Sequence, residues 1–213
     1  EVYIYYLRRG FRITTVHADG EFAPLKQLVQ SEPHAMTVNL TSRNEHVPEI
    51  ERRIRVVKER VRAVQHSLPF KALPKLMTIH LMLHAVKQLG YFPTKAGISA
   101  TLSPRAIMTG NTLDYRRDLS LQFGEYVQVH EEDEPRNGKN PRTRGAICLG
   151  PSGNKQGGFK FLSLQSGKKI TRMSWDALPM PDTVITRVEL LAKGQPEQLI
   201  FTDRKGQAIG DAE

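Results

Sequence analysis

Asp19 and Glu51 are the acidic side chains whose positions in the sequence could place them on one metal ion. Asp19 follows the run Thr14-Thr15-Val16, where a β-strand should end. Glu51 lies near the start of an arginine-rich helix. If that helix packs beside the strand, the two carboxylates converge, and their oxygen atoms suit Mg²⁺ or Mn²⁺. Such ions assist phosphoryl transfer by stabilising the attacking and leaving oxygens.

Both acids also have a purely structural interpretation. Asp19 precedes Gly20, and an Asp-Gly pair after a strand commonly forms a turn. Glu51 lies among arginines, where a glutamate often serves only as an ion-pair partner on the helix surface. The spacing of the residues leaves the metal site and these alternatives open.

Two parts of the chain are rich in basic residues and predict contact with a polyanion. The helix that contains Glu51 presents Arg52, Arg53, Arg55 and Lys58. Residues 136–175 contain no Asp or Glu, and their basic residues are Arg136, Lys139, Arg142, Arg144, Lys155, Lys160, Lys168, Lys169 and Arg172. The alternative is a basic surface that only contributes solubility. The acids at 131–134 are expected in an exposed loop, and His80 and His84 are expected to be packing or surface residues.

The first half of the chain is predicted to alternate strands and helices. A helix ends near Gly10, strands cover 11–18 and 35–40, and a short helix lies at 23–31. The strongest helix is 48–67, because apolar residues recur at steps of three and four on one face: Ile50, Ile54, Val57, Val61 and Val64. A second helix, at 73–90, is rich in Leu, Met and Ile, so we expect it to be buried.

The second half of the chain is predicted to be mostly β. Pro and Gly punctuate 93–119, which we interpret as a linker. Short apolar segments separated by turn residues over 120–182 favour a small antiparallel barrel or sandwich. The pattern of 183–213 is weak, so we expect a weakly structured tail.

Composition limits the class of protein. The chain has 213 residues and a formal net charge of +9, which favours nucleic acid as a partner over neutral surfaces. No apolar run approaches the roughly 20 residues of a membrane span, so no membrane partner is expected. The single cysteine, Cys148, fits a reducing, intracellular compartment.

Four segments in the same order resemble the integrase region of Ty1/copia-type retrotransposon polyproteins. They are VHADGEF followed by ERRIRVVKERVRA, then LSPRAIMTGNT, LSLQFGEYVQVH, and GGFKFLSLQSGKKITRMSWDALP. The resemblance covers about residues 1–182. In that family a strand-end aspartate and a glutamate on the following helix are the second and third acids of an Asp-Asp-Glu set. Asp19 and Glu51 match them, and Glu49 is the rival of Glu51.

The resemblance implies an α/β fold: the carboxy-terminal half of an RNase H-like catalytic core over 1–92, then a basic SH3-like β-barrel over 120–182. It implies DNA as partner, a nuclear location, Mg²⁺ or Mn²⁺ as cofactor, and a possible homo-oligomer. No aspartate precedes Asp19, so we expect a chain that begins inside the catalytic domain and is inactive alone. The alternative is a non-catalytic nucleic-acid-binding protein from a decayed or host-reused element.

Overall fold

The computed structural model describes residues 2–31, 35–41, 47–95, 97–131, 141–154 and 156–194. Within it the chain forms two compact units. The first unit consists of Glu1–Gln65 and Met82–Arg116, and the second of His66–Leu81 and Arg117–Glu213.

The elements combine helices and strands, as the sequence predicts for a mixed α/β protein. The α-helices are α1 (Val2–Leu7), α2 (Lys26–Gln30), α3 (Pro48–Ser67), α4 (Lys75–Leu89), α5 (Pro104–Thr109), α6 (Tyr115–Asp118) and α7 (Asp182–Lys193). The strands are β1 (Thr15–Asp19), β2 (Thr37–Thr41), β3 (Tyr126–His130), β4 (Thr143–Pro151), β5 (Phe159–Ser163), β6 (Lys169–Arg172) and β7 (Trp175–Ala177).

In the first unit, β1 and β2 pair in parallel, with Asp19 opposite Thr41. Parallel strands need a crossover connection, which here is a 3-10 helix at Gly20–Leu25 followed by α2. The prediction that a strand ends at Asp19 is therefore confirmed. The predicted strand 35–40 is also confirmed as β2.

The segment predicted as a linker contains a well-capped helix, α5. The hydroxyl of Ser103 accepts a hydrogen bond from the backbone N–H of Ala106. Pro104 occupies the first turn, where its missing backbone N–H costs no helical hydrogen bond. Gly110 ends the helix with a left-handed φ of 73°. Tyr5 and Arg9 donate to the carbonyls of Met108 and Thr109, so the chain around α1 is tied to the end of α5.

Helix α3 has the predicted bounds, but its apolar face is exposed at Ile50 and Ile54 and only half-buried farther along. No α3 side chain that the structure describes is buried, and Ile50 and Ile54 are each nearly half exposed. The prediction that α4 is buried is right for one face of the helix and wrong for the other. Met77, Leu81 and Ala85 are buried. The opposite face leaves apolar side chains about half exposed: Ile79, Met82, Leu83 and Val86.

The second unit is built on an antiparallel sheet of five strands in the order β6-β5-β4-β3-β7. Strands β3 to β6 follow one another as a meander, and β7 returns to pair with β3. The antiparallel short strands predicted for 120–182 are confirmed. No helix lies in the described residues between 144 and 175.

The sheet is strongly coiled. Strands β5 and β7 are three positions apart, which is about 14 Å in a flat sheet. Nevertheless the ring centroids of Phe159 and Trp175 lie 5.0 Å apart, and those of Phe161 and Trp175 lie 5.7 Å apart. Only Met173 and Ser174 connect β6 to β7, the two edge strands. The sheet therefore curls around its inner face, although β6 and β7 are not among the hydrogen-bonded strand pairs.

The inner face encloses the main core of this unit, whose members are Leu121, Val127, Val129, Ala146, Cys148, Phe159 and Phe161, with Ile170 and Trp175 packed against them. Gly124 leads the chain into this core with a φ of +87°. This left-handed φ favours glycine, and a Cβ there would lie 2.3 Å from the Cδ2 atom of Leu68, so the Leu68 side chain would have to move.

The prediction of a weakly structured tail is wrong for residues 182–193, which form α7. Val184 and Val188 are buried, because the apolar residues of this segment recur on one helix face. Arg187 donates through Nε to the carbonyl of Leu164 (2.8 Å) and through Nη2 to that of Gln165 (3.0 Å). Glu189 accepts from the backbone N–H of Lys71 at 2.9 Å. Residues 195–213 lie outside the described residues.

We predict that Val188→Ala lowers the free energy of unfolding by about 2 kcal/mol, because its side chain is fully buried. Leu190→Ala on the same helix is the matched control, since Leu190 is 54% exposed and should change stability by less than about 0.5 kcal/mol. Urea unfolding followed by tryptophan fluorescence measures both. Equal effects of the two substitutions would show that α7 does not pack as described.

Cys148 should be unreactive while the protein is folded. Burial raises the pKa of its thiol to about 12. The hydrogen bond that Gly150 N–H donates to Sγ lowers this pKa, but its effect is smaller than that of burial. Because only the thiolate attacks disulfide reagents, we expect an aromatic disulfide reagent at pH 8 to label Cys148 at the rate of unfolding. Rapid labelling without denaturant would contradict the buried position.

Candidate nucleic-acid interface

Asp19 acts as a local cap at the end of β1. Its Oδ1 atom accepts a hydrogen bond from the backbone N–H of Gly20 at 2.7 Å, and this contact begins the 3-10 helix. The side chain is exposed rather than enclosed by the sheet. The capping interaction is the turn-forming role that the Asp-Gly pair predicts, and it leaves the second carboxylate oxygen available.

Glu51 lies on the exposed surface of α3 beside basic residues. It lines a shallow groove together with Ile54, Arg55, Lys58 and Arg62. Arg52 and Arg53 line a second groove with Ile50, Ile54 and Val56. The structure therefore divides the predicted DNA-binding residues of α3 between two sides of the helix. Of these four predicted DNA-binding residues, Arg55 and Lys58 are the ones that share a groove with Glu51.

The predicted metal pair stays a prediction. The described residues contain no group of three or more His, Cys, Asp or Glu side chains placed to hold a metal ion. This finding does not concern a site formed by two carboxylates, which is what Asp19 and Glu51 would provide. The side chain of the rival, Glu49, lies outside the described part of the structure.

In the second unit, four predicted basic residues lie at one end of the sheet. Ser163 N–H donates to the carbonyl of Lys168, and Leu164 N–H donates to that of Gly145. The β5–β6 turn is therefore flanked by Lys168 and Lys169 on one side and by Arg144 on the other. Arg142 lies two residues before Arg144 and, like both lysines, is exposed.

Arg187 adds a cation to the same turn, and the sequence analysis missed it. Its guanidinium bridges two carbonyls of the β5–β6 turn, those of Leu164 and Gln165. The signal was available, since Val184, Val188 and Leu191 follow helical spacing between Pro181 and Gly194. We name the set Arg142, Arg144, Lys168, Lys169 and Arg187 the basic end.

Lys160 is separate from the basic end but close to it. It lies opposite Thr171 on β6, whereas Lys169 lies opposite Leu162. Lys160 and Lys169 are therefore diagonal neighbours on one face of the sheet, a spacing of about 7–8 Å. Three further basic residues of the predicted stretch, Arg136, Lys139 and Lys155, lie outside the described residues.

The expectation that Glu131 belongs to an exposed loop is wrong. Its carboxylate lies between two arginines, 2.7 Å from Arg144 Nε and 3.3 Å from Arg172 Nη2, and the side chain is only 18% exposed. The reason is strand alternation: Glu131 has the parity of Val127 and Val129, whose side chains face the core. Residues 132–134 lie outside the described part of the chain.

The histidines of α4 contribute packing. His80 is buried, which confirms the structural interpretation of this residue. His84 is partly buried, and its burial, together with the charge of Lys87, lowers its pKa below the ordinary value. A lowered pKa keeps His84 neutral near physiological pH. It therefore adds no charge to a nucleic-acid interface.

In the part of the chain that the structure describes, no helix combines the length and the apolar character needed to cross a membrane. No protein-family model matches this chain, and no curated protein matches it significantly.

Proposed function

We propose that this chain is part of a retrotransposon integrase and that its second unit binds the phosphate backbone of duplex DNA. The observation that carries this proposal is the basic end, where four exposed cations and the half-buried Arg144 flank a single turn of a hydrogen-bonded sheet. Cations that the fold already holds together lose less conformational freedom when they bind phosphates. Contacts of this kind are insensitive to base sequence, which suits an enzyme that inserts DNA at many positions.

The arrangement of the second unit supports an SH3-like barrel. The first and last strands of the five, β3 and β7, are neighbours, and Trp175 reaches across to Phe159. This order is what a small sheet needs in order to roll up into a barrel. We assign the proposed DNA-binding domain to residues 120–182, with α7 packed on it.

In the first unit, we propose that Asp19 and Glu51 hold Mg²⁺ or Mn²⁺. Hard carboxylate oxygens suit either ion, and Asp19 keeps one oxygen free of its capping bond. When bound, the ion would stabilise charge on the transferring phosphoryl group. Arg55 and Lys58, which share a groove with Glu51, would position DNA phosphates next to it. Arg52 and Arg53 would contact DNA on the other side of α3.

The order of elements in the first unit agrees with the RNase H-like core that the resemblance implies. A parallel strand pair carries Asp19 at a strand end, and a long basic helix carries Glu51. Strand transfer to chromosomal DNA would place the protein in the nucleus.

A second function is a non-catalytic nucleic-acid-binding protein. The capping bond of Asp19 and the basic neighbours of Glu51 favour it, since both acids then have structural roles. The basic end would serve this function equally well. Metal binding at Asp19 and Glu51 therefore separates the two candidates, whereas DNA binding does not.

We predict that exchanging Arg142, Lys168 and Lys169 for glutamine flattens the salt dependence of duplex binding. Each lost phosphate contact removes about 0.9 from the slope of log affinity against log salt, so three contacts remove roughly two to three. Fluorescence anisotropy of a labelled duplex across a salt series measures the slope. The matched control exchanges Lys26, Lys71 and Lys95, which are exposed lysines outside the predicted sites.

If both triple variants lower the slope equally, binding depends on net charge and not on the basic end. If the parent protein binds duplex with an affinity independent of salt, the proposed DNA-binding function is wrong.

We predict that Mn²⁺ broadens the amide NMR signals of Gly20 and Arg52 together, because one ion would lie between Asp19 and Glu51. Asp19→Asn keeps a capping oxygen but removes the charge that holds the ion, so it should abolish both effects. Glu51→Gln is the reciprocal variant. If each substitution removes only the broadening at its own neighbour, the acids do not share an ion and the non-catalytic function is favoured.

A further inference from the structure

Arg144 and Arg172 both belong to the stretch 136–175 that contains no acidic residue, but the structure gives them different surroundings. Both contact the carboxylate of Glu131, and the side chains are 35% exposed for Arg144 and 21% for Arg172. Arg172 comes from β6, whereas Glu131 directly follows β3, three positions away in the sheet. The Glu131–Arg172 ion pair therefore crosses the inside of the coiled sheet.

The guanidinium of Arg172 donates hydrogen bonds to groups of the protein itself. Its Nη1 atom donates to the carbonyl of Thr171 at 2.9 Å, and its Nη2 atom donates to Glu131 Oε2 at 3.3 Å. Its Nε atom is buried and has no hydrogen-bond partner among the described residues. Arg172 lies opposite Phe159, one of the core residues. With these contacts in place, the guanidinium of Arg172 is less open to a phosphate than that of Arg144.

Arg144 has the opposite arrangement. Its Nε atom lies 2.7 Å from Glu131 Oε1. This contact is an ion pair without good hydrogen-bond alignment, because Oε1 has no hydrogen-bond partner within the described residues. The terminal amino groups of Arg144 make no hydrogen bond in that part of the chain. Two adjacent amino groups form the planar fork that binds phosphate oxygens in pairs.

The charges of the three side chains sum to +1. Since Arg172 is the less exposed of the two arginines, we assign it the charge of Glu131, so that among these three side chains the positive charge of Arg144 is the one left at the surface. Glu131 also holds the Nε end of Arg144, which restricts the side chain before DNA arrives. Such restriction lowers the conformational entropy lost on binding.

We propose that Arg144 is a phosphate-binding residue and that Glu131 and Arg172 are positioning residues that orient it and preserve its charge. This inference rests on the proposed DNA-binding function and assigns distinct roles within the same site. It predicts that Arg172 affects DNA binding only through Glu131.

The test is a set of substitutions measured by duplex anisotropy across a salt series. Arg144→Gln should lower the slope by about 0.9. Arg172→Gln should weaken binding as well, because Glu131 then neutralises Arg144. The double variant Glu131→Gln with Arg172→Gln should restore the parental slope, since Arg144 regains its charge. A double variant whose slope stays as flat as that of Arg172→Gln alone would show that Arg172 itself contacts phosphate, and the inference would be wrong.

Arg144→Lys provides a test that does not disturb the interior. Lysine keeps the charge but lacks the fork, so binding should weaken at every salt concentration while the slope is unchanged. Parental affinity in Arg144→Lys would rule out the fork. Fluorescence of Trp175, the single tryptophan, confirms that each variant keeps the coiled core. Salt-independent binding by the parent would instead reject the proposed function itself.

Discussion

The packing of Trp175 on Phe159 and Phe161 is the contact on which the second unit depends. It joins β7 to β5 across the inner face, and this contact is possible only if the sheet coils. Coiling brings the ends of β3 and β6 together, so that Glu131 and Arg172 meet although their strands are not neighbours. The cations on both sides of the β5–β6 turn follow from strand pairing, because β4 and β6 both pair with β5. The ion pair between Glu131 and Arg172 is therefore a consequence of how an aromatic core curls a small sheet, whereas the basic end follows from the order of its strands.

The electrostatics of the second unit depend more on where its charged residues lie than on how many it has. A stretch with nine basic residues and no acid suggests nine equivalent contacts, but one carboxylate just outside it changes this count. Glu131 engages two of the arginines, and one of these is enclosed. Desolvated ion pairs hold their geometry more firmly than exposed ones, because breaking them leaves a buried charge. Exposed lysines such as Lys168 and Lys169 stay available to solvent and ions.

The first unit is organised by local interactions. Asp19 is positioned by its own capping bond and by the pairing of β1 with β2. The apolar residues of helix α3 recur on one face, but the described ones are exposed or half-buried and none is buried. Parallel strands are usually covered on both faces, whereas β1 has no buried residue. The chemistry proposed for Asp19 and Glu51 thus depends on two elements whose local structure is well defined.

Local sequence signals were sufficient for most element positions. The periodicity of α3 and the strand that ends at Asp19 act over a few residues, so they can be recognised without the fold. The Ser-Pro start and Gly end of α5 are local signals too, but the sequence interpretation assigned that segment to a linker. Helix α7 had a similar signal in Val184, Val188 and Leu191, which the sequence interpretation overlooked. The pairing of β7 with β3, the exposure of Ile54, and the enclosure of Arg172 beside Glu131 could not be derived in this way. They join residues far apart in the chain, and only the coiling of the sheet and the packing of its core decide which side chains meet.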